Sequence, residues 1–584
     1  MNGERLAIVG PATWEPLVVH LRSALGAYDL ECDVDTFGFD RQMQLWSGTA
    51  EEFERCPPRG VFVFPESRVL FSQPLADPRA PFSPLARGRE AAELLVQAIA
   101  GVAARHPEVS WVVSTADEAA PAAADAVVDP ALDPFSLAVD EFNRVLGESV
   151  RGRSGWSIFD RRRLTARWGA AVLHDARLEL LARYPASARG MKLLAERLAA
   201  HWAAVCGKMK KVLALDCDNT LWGGVVGEDG VDGVKIGEDG VGRAYAEFQK
   251  AVLAMESRGV LLVLSSRNNP ADVEEVFARR REMLIPRDRI AAVEIGWEPK
   301  SVGLARLAAR LGLALGDFVF VDDNPAEREE VRRALPEVTV AEFPSDPAEL
   351  ATLGYDLGWR YFYRVSVREE DRAKTSQYRV RAAFEEEHQA ASSREEFLQS
   401  LRMESVIAVD SLELVARSAQ LTQKTNQFNL TLRRYTEAEI RRLTEDPRVA
   451  VFSAALEDRF GEHGWIALAI FSIKGDDQRD ERPACWSLDT FLVSCRVLGR
   501  SFEHAFARAC IDRVRSVAPL PVRAEYVPGP RNRPAGDFLD CLGFERVGDG
   551  PDGRREYCLW NGPSAIAPEA RLVSIQWEGE CVHA

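Results

Sequence analysis

Two carboxylates stand two residues apart at the end of a short apolar run: Val212-Leu-Ala-Leu215 leads into Asp216-Cys217-Asp218-Asn219-Thr220, then Leu221-Trp222-Gly223-Gly224. Acids at i and i+2 beyond a strand end can divide the work of phosphoryl transfer, Asp216 attacking phosphorus while Asp218 gives or takes a proton. Two acids repel a phosphate, so such a site needs a divalent cation and a nearby cationic side chain. The partners follow in order. Gly259-to-Ser265 is a second apolar run ending in Ser266-Arg267-Asn268, suited to phosphate oxygens. Trp297-Glu-Pro-Lys300 brings a lysine to a helix start, and Asp317-Phe-Val-Phe-Val321 ends in Asp322-Asp323-Asn324-Pro325. Paired acids suit Mg2+, a hard cation that takes oxygen ligands. The expected metal ligands are Asp216, Asp218, Asp322 and Asp323; the expected substrate contacts are Thr220, Ser266, Arg267, Asn268 and Lys300. One such motif alone is weak, since a strand-terminal Asp often only caps a helix. Four in this order within about 110 residues are a specific pattern.

The elements that must position these groups are buried strands of a parallel α/β sheet, whose carboxyl ends form the ligand crevice. Between Trp222 and Tyr245 the chain is rich in Gly and acids, which predicts a flap. Only about 30 residues separate Asn268 from Lys300, too few for a large lid. The mouth is expected to be open to a bulky partner.

The stretch resembles the haloacid dehalogenase superfamily of phosphohydrolases and phosphotransferases. More narrowly it resembles the FkbH-like branch, through Asp216-Cys-Asp-Asn-Thr-Leu-Trp-Gly-Gly-Val-Val-Gly-Glu-Asp-Gly230, Ser266-Arg-Asn268, Trp297-Glu-Pro-Lys300, Asp322-Asp-Asn-Pro-Ala-Glu-Arg328 and Gln423-Lys-Thr-Asn-Gln-Phe-Asn-Leu430 with Arg433-Arg-Tyr-Thr436. Arg267 departs from the Lys common in relatives and keeps the charge. The resemblance implies a Rossmann-like catalytic core with Mg2+ as cofactor. It implies a bifunctional glyceryltransferase and phosphatase, moving the acyl group of 1,3-bisphosphoglycerate onto the phosphopantetheine arm of an acyl carrier protein, with loss of phosphate, for polyketide or antibiotic biosynthesis. The alternatives are a plain Mg-dependent phosphatase and an inactive carrier-docking scaffold. Cys217 divides two chemistries: with the resemblance it is a catalytic thiolate that holds the acyl group, and without it a small buried filler.

The rest of the chain sets limits. It has 584 residues, a formal net charge of −16, 46% hydrophobic residues and ten scattered cysteines. A multidomain, reduced, cytoplasmic protein is expected, with no nucleic-acid or membrane partner. The start lacks a signal-peptide core and no apolar run is long enough to span a membrane. Residues 1–175 alternate strand and helix patterns, reading as a flavodoxin-like or SGNH-like α/β domain. Gly10-Pro-Ala-Thr13 lacks the nucleophilic serine turn of a hydrolase, so a non-catalytic docking role is expected; His20 and His106 read as surface or capping residues. Residues 176–207 read as a helical linker broken at Pro185, 208–355 as the catalytic domain and 356–400 as linker helices with an aromatic patch at Tyr355–Tyr363. Residues 401–584 read as an α+β domain in which Arg496-Val-Leu-Gly499-Arg500-Ser501 opens a helix and resembles a degenerate GNAT acetyltransferase turn. Lys424, Asn426, Arg496, Gly499, Arg500 and Ser501 are the expected contacts to the carrier's pantetheine arm. His463, on a turn, reads as structural rather than as a base.

Overall fold

The computed structural model describes residues 4–71, 83–117, 134–365, 378–379, 384, 393–475, 484–494, 497–529, 532–550, 552–560 and 572–579. The Ala-rich stretch at 119–128, most of the charged segment 368–396, Arg496 and the side chain of Lys424 lie outside the described residues.

The N-terminal strands β1 (Glu4–Val9), β2 (Cys32–Phe37), β3 (Gly60–Val63), β4 (Ser110–Ser114) and β5 (Trp156–Phe159) form a parallel sheet in the order β2-β1-β3-β4-β5. That is the flavodoxin-type order. Alternate residues feed two cores, because successive side chains of a strand point to opposite faces. Leu6, Ile8, Phe62 and Val112 pack with the helices Glu15–Gly26 and Ala188–Val205, while Ala7, Val9, Val61, Val63, Trp111 and Val113 pack with Pro84–Arg105 and Pro134–Val150. Gly60 is obligatory, as a Cβ there would lie 2.2 Å from the Trp202 ring. Pro185 separates the helices Ala176–Ala182 and Ala188–Val205 as expected. The aromatic patch joins the first of these cores: Arg197 lies 3.5 Å over the Trp359 ring. Thr13 donates its hydroxyl to Ala182 O, which leaves no nucleophile at that turn.

The second sheet contains β6 (Val212–Leu215), β7 (Leu261–Ser266), β8 (Ile290–Ile295), β9 (Phe318–Val321) and β10 (Thr339–Val340), in the order β10-β9-β6-β7-β8. Its three central strands are buried along their whole length, so they read in sequence as unbroken apolar runs. The expected flap winds into short helical turns over Val226–Gly233, kinked at Gly230 with a φ of 71°, and the Asp229 carboxylate accepts from Val225 N–H at their start. Among the described residues between Asn268 and Lys300 there are the helix Pro270–Arg279 and β8, and no inserted cap.

The C-terminal domain is a mixed eight-stranded sheet made of β11 (Met403–Val409), β12 (Val449–Asp458), β13 (Gly461–Lys474), β14 (Cys485–Val493), β15 (Val522–Tyr526), β16 (Glu545–Asp549), β17 (Arg555–Leu559) and β18 (Val573–Glu578). β11 to β14 form an antiparallel meander, and β14 pairs parallel with β15 after the crossover helix Phe502–Val517. This is the α+β layout expected for the region. No helix among the described residues is long and apolar enough to cross a membrane.

Candidate active site

The acids converge because neighbouring strands end together. Asp216 N–H bonds Val321 O at 3.0 Å, which aligns the end of β6 with the end of β9. Beyond Asp216 the chain turns on Cys217 O, which accepts from the N–H groups of Thr220, Leu221 and Trp222. Asn219 takes a left-handed φ of 52°, and its side chain accepts from Gly224 N–H at 2.9 Å. Gly224 cannot carry a side chain: its φ is 96° and a Cβ would lie 2.5 Å from Asp229 Oδ2.

Lys300 is the hub. It opens the helix Lys300–Leu311, is 3% exposed, and donates to Asp216 Oδ1 and to Ser265 O, with Asp322 Oδ2 at 3.1 Å. Burial alone would depress the ammonium, but Asp216 and Asp322 outweigh it and hold its pKa above the ordinary value. Oxygens of Asp216, Asp322 and Asp323 lie within 4.8 Å of one another, so these three could hold a divalent cation. Burial, followed by repulsion from Asp216, pushes both Asp322 and Asp323 up to about 6. Arg328 locks their loop by donating to the carbonyls of Asp322 and Asp323.

Asp218 is not among the three carboxylates that converge, which corrects its expected role as a side-chain metal ligand. Its carboxylate accepts from Trp222 Nε1 at 2.9 Å, Val226 N–H at 3.1 Å and Asn268 Nδ2 at 3.0 Å. Burial raises its pKa against those three hydrogen bonds, which suits a group that exchanges protons. The cleft, of about 340 Å3, is lined by these acids together with Asn219, Ser266, Arg267, Lys300, Asn324 and Glu327. Five carboxylates face two cations in its wall. An anionic substrate therefore enters only with a counter-cation.

The parallel order β10-β9-β6-β7-β8, with acids at the ends of β6 and β9, recurs in a solved structure. Over 63% of this chain and 95% of the other, at 24% identity and a TM-score of 0.56, the structure resembles the N-terminal part of the protein BF1531 from Bacteroides fragilis, which contains a phosphatase domain and is complexed with Mg. The C-terminal part gives weaker likenesses, such as the Escherichia coli ribosomal-protein-S18-alanine N-acetyltransferase, at 15% identity and a TM-score of 0.21 over 27% of this chain and 94% of that one. No family model and no curated protein matches the sequence.

Three expected substrate or catalytic groups are placed otherwise. Thr220 is fully buried, does not line the cleft, and its hydroxyl has no hydrogen-bond partner among the described residues; Asn219 reaches the wall instead. Asn268 is 4% exposed and spends its amide on Asp218 and Ser266, so it positions other groups rather than touching substrate. Cys217 is fully buried; burial and then Asp216 push its thiol well above the ordinary range, against a hydrogen bond to Ser266. Without a cation beside it, a buried thiol held protonated packs as a small apolar side chain. Arg267 stands at the rim and pairs with Glu327 at 2.8 Å. Glu327 and Asn219 also line the cleft, and both lie within the sequence motifs.

Of the expected carrier-arm residues, Arg500 and Ser501 turn inward, whereas Gly499 is exposed and Asn426 half-buried. Arg500 is 1% exposed, donates Nε to Asp458 Oδ2 at 2.7 Å and lies 3.9 Å over the Phe384 ring. His463 is 3.0 Å from the same carboxylate, a structural role as expected. Gly499 and Ser501 take left-handed φ values of 89° and 58°, which turns the chain but leaves Ser501 buried. Asn426 accepts from Arg434. β14 and β15 pair from Trp486 and Val522 as far as Leu488 and Ala524. Beyond that point Phe428–Leu430 fills the gap: Leu430 N–H bonds Phe491 O, Val493 N–H bonds Phe428 O, and Val527 N–H bonds Leu430 O. Gln423 thus lies in the last turn of the helix Val415–Lys424, while Phe428–Leu430 works as a short internal strand.

Arg500→Met tests this placement. Stripping the cation from a buried carboxylate should cost about 3–5 kcal/mol, read as a lower denaturation midpoint for the C-terminal domain. A fully stable variant would return Arg500 to ligand duty.

Proposed function

We propose that the protein is a Mg2+-dependent phosphatase of haloacid dehalogenase type. The observation that carries this reading is Lys300 buried between Asp216 and Asp322, beside three carboxylates placed to share one cation. Asp216, Asp322 and Asp323 would hold the Mg2+, which offsets the charge of the acids and the phosphate when bound. Asp216 attacks phosphorus; the ester oxygen leaves with the bonding electrons and takes a proton from Asp218. Asp218 then removes a proton from water, which cleaves the aspartyl phosphate. Ser266 holds a phosphate oxygen, while Lys300, whose donors go to Asp216, Asp322 and Ser265 O, fixes the attacking carboxylate and lends its positive charge to the phosphate.

The sequence resemblance supports a finer reading, in which 1,3-bisphosphoglycerate is the donor and an acyl carrier protein the acceptor. An open cleft without an inserted cap suits a bulky partner. With Cys217 buried, the carrier thiolate attacks the acyl carbon directly: the C–S bond forms, the C–O bond breaks, and phosphate departs with the electron pair. Donor-only incubation followed by intact mass measurement should show no acyl adduct, while adding the carrier should give a glyceryl thioester. Cys217→Ala should leave that product, with both activities falling modestly and together. An adduct mapped to Cys217 would restore the covalent route.

Asp216→Asn keeps the shape of the side chain and removes its nucleophilicity, so phosphate release should vanish in a folded protein. Retained release would overturn the assignment.

The raised pKa values of Asp322 and Asp323 set a pH dependence. Cation binding must displace their protons, so Mg2+ affinity should climb from pH 5 to 7 with proton release, measured by calorimetry in two buffers of different ionisation enthalpy. The sign for stability is opposite in the metal-free protein. The folded state keeps protons up to about 6 that the unfolded chain releases near the ordinary value of 3.8. Stability therefore falls as pH rises across that window, and Asp322→Asn should flatten the fall.

A further inference from the structure

Glu327 lines the cleft, yet phosphate binding leaves it without a task. It sits in the first turn of the helix Pro325–Ala334 and is 9% exposed. Its Oε1 pairs with Arg267, while its Oε2 is buried with no hydrogen-bond partner among the described residues. A Glu three residues after an Asn N-cap ordinarily folds back onto the cap N–H. Here that N–H is taken by Asp322 Oδ1 at 2.9 Å, and Asn324 Oδ1 caps Ala326 N–H instead. Glu327 is thereby released toward the cleft. It is not one of the three carboxylates that converge for a cation.

An orphaned acceptor in a ligand cleft is satisfied by a donor that arrives with the ligand. Arg267 already balances the charge of Glu327, so the donor need not be a cation. We propose that Glu327, held by Arg267, accepts a hydrogen bond from a substrate hydroxyl, so that the cleft selects small hydroxylated phosphate esters over their deoxy counterparts. This rests on the phosphatase reading of the same cleft and adds the substrate class. A site built to bond a hydroxyl rejects the analogue that lacks it, because the buried acceptor stays unpaired.

The test compares glycerol 3-phosphate with n-propyl phosphate, which share the phosphate and a three-carbon chain. Binding is measured by calorimetry with Mg2+ on the Asp216→Asn protein, which cannot turn either over. Glycerol 3-phosphate should bind about 10-fold tighter or more, and adding Glu327→Leu should reduce the preference to about 2-fold or less. Equal affinities, a preference that survives the second substitution, or no binding of either ester would overturn the proposal. The first comparison stands even if the double variant does not fold. The phosphatase reading fails separately, if the unsubstituted enzyme releases no phosphate from either ester.

Discussion

A single buried ammonium organises the catalytic domain. Moving an ion of this size from water into a low-dielectric interior carries an idealised cost of order 20 kcal/mol, so Lys300 is tolerable only because Asp216 and Asp322 meet it from two strand ends and Ser265 O completes its shell. The contact works in both directions. The lysine suppresses repulsion between Asp216 and Asp322, while those acids keep it charged for phosphate. One cation does not neutralise the set, and the residual negative charge is what gives a divalent metal a place.

Everything around this centre limits movement of the acids. Gly224 admits Asp229 where a side chain would collide, and Asn219 closes the same loop through Gly224 N–H. Trp222, Val226 and Asn268 converge on Asp218 from three directions, so its carboxylate is aimed by groups that never meet the substrate. Asn268 in turn ties Asp218 to Ser266. In the proposed reaction, proton exchange and phosphate binding would be coupled through this one amide.

The three catalytic strands and the order of their acids were legible in sequence, since buried parallel strands leave unbroken apolar runs and the acids mark their ends. Direction and burial of side chains were less legible. Asp218 looked like a ligand because spacing alone does not show that Trp222 and Val226 claim its oxygens. Thr220 and Cys217 differ from Asn219 and Asp216 only in which way the turn points them. Glu327 matched a capping pattern and was passed over; only the competing bond from Asn324 N–H to Asp322 shows that it is available. Arg500 read as a phosphate contact because its true partner, Asp458, lies 42 positions away in sequence.

The second sheet and the C-terminal domain use polar groups in opposite ways. In the C-terminal domain the diverging ends of β14 and β15 would expose backbone donors and acceptors, an edge that an extended amide ligand can complete. Phe428–Leu430 already completes it, and Asn429 and Asn532 brace the insertion, Asn532 Nδ2 donating to Asn429 O. A pantetheine arm laid there would have to displace three backbone hydrogen bonds for those it makes. At the phosphate cleft the balance is reversed: acids exceed cations and Glu327 Oε2 lacks a donor. Unmet polar capacity in a formed cleft favours a ligand, whereas a filled sheet edge favours rigidity. On that criterion a ligand is favoured at the ends of β6, β7 and β9 rather than in the gap between β14 and β15.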